Sequence, residues 1–145
     1  MKVFIASDHR GFNLKDKIKN YFSKKKIDFE DFGAFSLDED DDYPDYIIKA
    51  VEKVASNKDS RGIILGYSGQ GEAICANKIK GVRAVVYYGG KKEVIKLSRE
   101  DNDSNIISLG AGFLSEKEAL SAIELWLKTP FSNASRHKRR LDKIK

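Results

Sequence analysis

Residues 61–76 read RGIILGYSGQGEAICA, and this stretch decides the fold. Arg61 to Leu65 is a short aliphatic run, as in a strand buried on both faces. Glycines at 66, 69 and 71 break the run, and Ala73, Ile74 and Ile79 follow at helical spacing until Gly81 stops the helix. A buried strand that turns through glycines into a helix is one arm of a parallel α/β sheet.

The same alternation extends in both directions. Upstream, Lys2 to Ser7 is an apolar run, and Leu14, Ile18, Tyr21 and Phe22 mark a helix over Phe12 to Phe22. Ile27 to Phe32 alternates apolar and acidic residues, like a half-exposed strand. The acidic run Asp38 to Asp42 follows, then Tyr43 and Pro44, and Pro44 suits the first turn of a helix ending near Ala55. Downstream, Val82 to Tyr88 and Asn105 to Leu109 read as the fourth and fifth strands, with a helix over Lys91 to Arg99 between them. Ser115 to Leu127 reads as a helix opened by a Ser115–Glu118 capping box, and a basic helical segment follows Thr129 and Pro130. These repeats, with no long linker, predict one α/β domain over residues 1–145. Its five-stranded parallel sheet carries helices on both faces, and a basic helix ends the chain. Ligands in such folds bind outside the carboxyl ends of the strands.

The chain carries a formal charge of +5, yet its last ten residues hold six Lys/Arg against one Asp, so the rest is neutral. A basic pI therefore says little about a polyanionic partner. The tail also lacks interleaved aromatics and any nucleic-acid recognition motif. Hydrophobic content of 41% with 10% aromatics excludes a disordered chain. No apolar run approaches the ~20 residues of a membrane span. Asp8 interrupts the start too early for a secretory signal, and the single Cys75 cannot form an internal disulfide. These readings predict a soluble cytoplasmic protein without nucleic-acid or membrane partners. Cys75 itself falls on an apolar helix face, where packing is its simplest use.

Candidate chemistry gathers at four places. Asp8 and His9 follow the first strand. An acid beside an imidazole can bind a polyol or move a proton, while Asp8 can equally cap the next helix. Tyr67, Ser68, Gly69, Gln70 and Gly71 form the turn after the third strand, whose N–H groups suit an anion or a developing oxyanion. Its spacing is neither that of a P-loop nor that of a dinucleotide fingerprint. Glu72, beside these donors, can act as a general base or merely complement the helix dipole. Asp101 and Asn102 lie in a polar segment before the fifth strand, which can also be a plain turn. Arg136 and Arg140 fall one helical turn apart and can grip a phosphate or coat a solvated face.

Five segments together resemble the B-type ribose-5-phosphate isomerase family, which includes galactose-6-phosphate isomerases. They are SDHRGFNLK at 7–15, DYPDY at 42–46, GYSGQGEAICANKIKGVRA at 66–84, SREDNDSNIISLGAG at 98–112 and RHKRRLDKI at 136–144. The resemblance implies a three-layer Rossmann-like fold and a homodimer or tetramer with sites at the subunit interface. It implies a sugar-phosphate substrate, no metal or organic cofactor, and aldose–ketose isomerisation through a cis-enediolate. By position, Asp8 and His9 would contact the open sugar, Tyr67 to Gly71 would form the anion hole and Asn102 would bind substrate. Arg136 and Arg140 of one subunit would hold the phosphate in the other's site, with Tyr43 and His137 lining the pocket. Gly66 stands where many members carry a catalytic cysteine, and Glu72 matches the base of a second group that uses glutamate.

Two positions depart from the pattern. Asp101 replaces the histidine that opens the sugar ring, and Gly112 replaces an arginine that helps bind phosphate. The substrate pair implied is ribose 5-phosphate and ribulose 5-phosphate. The room left by Gly112 admits a six-carbon sugar phosphate, allose 6-phosphate or galactose 6-phosphate, as an alternative. The two departures together admit a non-catalytic sugar-phosphate-binding relative.

Overall fold

The computed structural model describes residues 1–144. In chain order the elements are β1 (Lys2–Ser7), α1 (Phe12–Lys25), β2 (Phe29–Asp31), α2 (Pro44–Ser56), β3 (Ser60–Gly66) and α3 (Gln70–Ala76). They continue as β4 (Ala84–Tyr87), α4 (Glu93–Glu100), β5 (Ile106–Gly110), α5 (Glu116–Lys128) and α6 (Ser135–Leu141). The strands form one sheet in the order β2-β1-β3-β5-β4, and every neighbouring pair is parallel.

Alternation along the strands explains the three layers. Val3, Ile5, Ile63, Leu65, Ile107 and Leu109 point to one face and pack with Ile18 and Phe22 of α1, Ile95 of α4, and Ile123 and Trp126 of α5. Their neighbours Phe4, Ala6, Ile64 and Ile106 point to the other face, against Ile47, Val51 and Val54 of α2 and Ala76 of α3. Each aliphatic side chain fully buried this way contributes about 1.5–3 kcal/mol. Trp126 also donates its indole N–H to Ser104 Oγ at 2.9 Å, so its polar atom is not orphaned in the core.

Three elements are shorter than the pattern predicts, among them β4, which keeps Ala84–Tyr87 of the expected Val82 to Tyr88. Strand β2 keeps three residues, because it lies at the sheet edge with Glu30 exposed. Helix α3 stops at Ala76, well before Gly81. Asn77 ends it by pairing with the edge strand: Oδ1 accepts from Ala84 N–H at 2.8 Å and Nδ2 donates to Ala84 O at 3.0 Å. The Ser115–Glu118 capping box is present as read, with both reciprocal hydrogen bonds at 3.1 Å.

Helices α1 and α3, which follow β1 and β3, pack on opposite faces of the sheet, so the carboxyl ends of these two strands open a crevice between them. Among the described residues, no helix is long and apolar enough to cross a membrane.

Candidate active site

β1 delivers Asp8 and His9 to one wall of the crevice. Asp8 is buried, and its Oδ1 accepts from the N–H groups of Arg10 at 2.9 Å and Gly11 at 3.3 Å. The carboxylate therefore shapes the turn before α1 and does not cap the helix itself, where no side-chain cap is made. His9 Nδ1 lies 2.6 Å from Asp41 Oδ1, and the His9 N–H donates to the same oxygen at 3.3 Å. The hydrogen bond to Asp41 raises the imidazole's pKa above the ordinary histidine value, against the cost of burial. Asp8, His9 and Asp41 each offer a ligand atom within 4.8 Å of the others, so these three are where a cation would fit, although the His9–Asp41 bond already occupies Nδ1.

β3 delivers the opposite wall. The loop after it is laced to the end of β5: Ala111 N–H donates to Gly66 O at 2.8 Å and Gly112 N–H to Tyr67 O at 2.9 Å. Ser108 Oγ donates to Gly69 O at 2.6 Å. Gly69 has φ +77°, and a β-carbon there would meet the Leu109 backbone at 3.0 Å, so the turn requires glycine. This lacing engages carbonyls and spares amides. Among the described residues, the N–H groups of Ser68, Gly69 and Gly71 donate to no protein acceptor. Gln70 is different: its N–H goes to Ser68 Oγ at 3.3 Å, and its exposed side chain lines an outer groove of about 500 Å³ with Ile74 and Asn77.

Glu72 forms the floor. Its side chain is buried, and its carboxylate fills the space that a β-carbon at Gly66 would need. Tyr43, at the start of α2, rests its hydroxyl against Gly71. Burial pushes the Glu72 carboxyl above the ordinary glutamate range and the charge of Asp8 adds to this, opposed by a hydrogen bond from Glu72's own N–H. A carboxylate with raised proton affinity beside unpartnered N–H groups can take a proton next to a carbonyl and stabilise the oxyanion that results.

The other four expected residues lie at the far end of the sheet. Asp101 caps α4, and the segment behind it is pinned to the amino-terminal edge, where Asn105 N–H donates to Arg83 O at 3.1 Å and Gly62 N–H to Asn105 O at 2.9 Å. The five residues of β5 separate that edge from the crevice by about 16 Å. The chain leading to α6 docks at the same end, with Ser132 N–H on Glu100 O and Arg99 Nε on Thr129 O, both at 3.1 Å. His137 is buried there, its Nε2 3.2 Å from Asp101 Oδ1, within ion-pair range but not aligned as a hydrogen bond. Arg136 and Arg140 are exposed on α6, and Asn102 is exposed beside Asp101. Of the residues singled out from the sequence, Asp8, His9, Tyr67 to Gly71 and Glu72 thus gather at one end of the sheet, and Asp101, Asn102, Arg136 and Arg140 at the other.

Residues 3–144 match the ribose/galactose isomerase family. The chain belongs to this family. It is 41% identical to ribose-5-phosphate isomerase B of Mycolicibacterium paratuberculosis over 142 residues, 98% of this chain and 88% of that relative. The structure of ribose-5-phosphate isomerase B from Clostridium thermocellum superposes with a TM-score of 0.92 at 40% identity, covering 99% of this chain and 95% of the other. That of the Mycoplasma genitalium enzyme with bound ribulose-5-phosphate gives 0.92 at 35% identity, covering 99% and 93%. The Rossmann-like α/β architecture is common to them.

Within this isomerase fold, three contributors to the crevice escaped sequence reasoning. Asp41 is hidden in a run of acids that looks like solvated charge. Ser108 is one polar residue inside a buried strand. Arg10 follows a more conspicuous pair, Asp8 and His9. Only for Ser108 was there a local signal, a hydroxyl in an otherwise aliphatic run that must find an acceptor.

Proposed function

We propose that this chain interconverts ribose 5-phosphate and ribulose 5-phosphate, with Glu72 as the proton-transfer base. The observation that carries the reading is the buried Glu72 carboxylate under Gly66, next to the free N–H groups of Ser68, Gly69 and Gly71. The family and the activity of the relatives named above support it. Glu72 takes the C2 proton of the open aldose, the C2–H electron pair becomes the C1–C2 double bond, and the C1=O1 π pair moves onto O1 to give a cis-enediolate. The loop amides hold the developing oxyanion. The O2 proton passes to O1, and the C1–C2 π pair then takes the proton from Glu72 at C1 as the C2=O2 bond forms, which yields the ketose. Asp8 and His9 bind the sugar hydroxyls.

The proposal includes a homodimer. Arg136 and Arg140 sit too far along the sheet to serve their own chain's Glu72, and a second subunit would bring them, with Asn102 and the Asp101–His137 pair, over the crevice. Asp101 beside His137 then opens the sugar ring in place of a single histidine. A phosphorylated metabolic substrate and a free Cys75 thiol fit a cytoplasmic setting. The six-carbon alternative loses the argument that favoured it, because the Tyr67 ring lies across the space beside Gly112.

The decisive assay compares the wild type with Glu72→Gln on ribose 5-phosphate. The variant should lose roughly a hundredfold or more in kcat, the scale of general-base catalysis. Unchanged kcat in the variant would remove Glu72 as the base. Binding without turnover of any pentose or hexose phosphate by the wild type would instead point to a non-catalytic binder.

A further inference from the structure

The mouth of the crevice carries a cation that the reaction scheme leaves without a task. Arg10 follows His9 directly, is exposed, and has its backbone fixed by the hydrogen bond from its N–H to Asp8. Its guanidinium carbon lies 4.7 Å from the centre of the Tyr67 ring, in stacking range. Tyr67 is itself held in place: its ring packs on Phe113 at 5.3 Å between centroids and covers Gly112, where any β-carbon would collide with it. A ring from the β3 loop, wedged on the β5 loop, is therefore a platform for an arginine from the β1 loop.

The platform fixes the guanidinium but does not use its hydrogen bonds. A cation–π contact consumes none of the guanidinium N–H donors, and among the described residues none of them has a protein acceptor. Among the described residues, no carboxylate lies within ion-pair distance of Arg10. Asp8 and Asp41, the acids in contact with the same turn, each use Oδ1 elsewhere, Asp8 for the amides of the turn and Asp41 for His9. Arg10 and His9 stand close enough for the arginine charge to oppose protonation of the imidazole. A pre-oriented, unpaired guanidinium beside an imidazole at the rim is arranged for an anion arriving from solvent.

We propose that Arg10, held over the Tyr67 ring, is a ligand for the substrate's phosphate, supplied by the same subunit that carries Glu72. This rests on the isomerase reading above and adds a residue to it. The phosphate would be gripped from two sides, by Arg10 of one chain and by Arg136 and Arg140 of the partner subunit, so that closure of the grip aligns C1 and C2 with Glu72. The Gly112–Tyr67 pairing belongs to the same device. A side chain at 112 would displace the ring and release Arg10.

The test uses Arg10→Ala, Arg10→Gln and Arg10→Lys in the full-length protein. It reads kcat and KM for ribose 5-phosphate, and competitive inhibition by inorganic phosphate. Arg10→Ala should raise KM and the phosphate inhibition constant together by about tenfold, the loss falling on binding and much less on kcat. Arg10→Gln, whose planar amide can still lie on the ring, should behave like Ala. Arg10→Lys should recover part of the affinity through charge without the two-pronged contact. Unchanged KM and inhibition constant in Arg10→Ala would overturn the proposal. So would a wild-type-like Arg10→Gln, which would leave only a stacking role, or a fall in kcat accompanied by a lower Tm. Phosphate protection against thermal unfolding separates this idea from the activity. If the wild type turned over no sugar phosphate but gained Tm with inorganic phosphate, and Arg10→Ala lost that gain, Arg10 would stand as an anion ligand while the isomerase reading fell.

Discussion

At the residue scale, the site depends on pairs in which one member makes room for or tunes the other. Gly66 and Glu72 are such a pair, since the carboxylate occupies the volume of an absent side chain. Gly66→Ala should therefore displace the base while leaving it in the sequence. We expect kcat to fall on the order of a hundredfold with the circular dichroism unchanged, because small misplacements of a reacting group are that costly. As the proposed base, Glu72 must be ionised to act, and its pKa is raised, so kcat should climb with pH through a limb lying above the ordinary glutamate range. His9 and Asp41 are the second pair. The imidazole's raised pKa means that the pair's stabilisation is fully present below the unfolded histidine value and fades as pH rises through the folded one. Asp41→Asn should lower the His9 midpoint in an NMR titration. Its stability deficit should be larger at about pH 6 than at about pH 9, spanning the histidine range. A His9 midpoint unmoved by the substitution would show that Asp41 does not hold the proton there.

At the scale of elements, the crevice wall is braced by an unusual anchor in α1. Lys15 is fully buried, and its Nζ donates to Asp31 Oδ1 at 2.8 Å and to Ala34 O at 2.5 Å. Burial pushes the ammonium below its usual range, with the hydrogen bond to Asp31 resisting. Burial also works against the Asp31 charge, but hydrogen bonds from Lys15 and Lys19 outweigh it and hold that carboxyl below its usual range. The same strand end is stitched to β1 by Ser7 N–H on Gly33 O and Ala34 N–H on Ser7 O. Lys15 thus ties α1 and the end of β2 to the residue just before Asp8. Lys15→Met keeps the packing volume but strips a partner from a buried carboxylate. Since Lys19 remains on Asp31, we expect a loss of about 3 kcal/mol, at the low end for a broken buried pair, read as a lower urea midpoint. A neutral result would mean that solvent already screens this cluster.

At the scale of the molecule, the proposed dimer would make catalysis a property of the assembly, because Arg136 and Arg140 lie at the opposite end of the sheet from Glu72. Equimolar Glu72→Gln and Arg140→Ala chains, each inactive alone, should regain activity once their subunits are exchanged. Half of a random dimer population is mixed, and each mixed dimer has one intact site, so about a quarter of wild-type activity should return. No recovery would place Arg140 in the site of its own chain. The charge distribution fits the shared arrangement. The exposed arginines of α6 stand on an otherwise neutral body, where they can meet a single phosphate instead of a long polyanion.

Local sequence was enough for whatever local chemistry controls. Five apolar runs alternating with helical spacing led to the parallel sheet, because burial on both faces leaves a periodic trace in each strand. The glycines at 66, 69 and 71 and the neighbouring Glu72 pointed to the turn with unpartnered amides and the carboxylate beside it, since the two are contiguous in the chain. Tertiary structure decided everything that depends on distant partners. Sequence carries no sign that Asp41 turns toward His9 across 32 positions, or that Ser108 holds the Gly69 carbonyl across 39. Nor does it show that the end of α3 is set by Asn77 pairing with Ala84, a choice made by the sheet edge and not by helix propensity. Above all, the position of Arg10 on Tyr67 and of Arg136 at the opposite pole follows from the packing of loops and helices around the sheet. A one-dimensional pattern records which side chains prefer burial, but not which of the exposed ones will share a space.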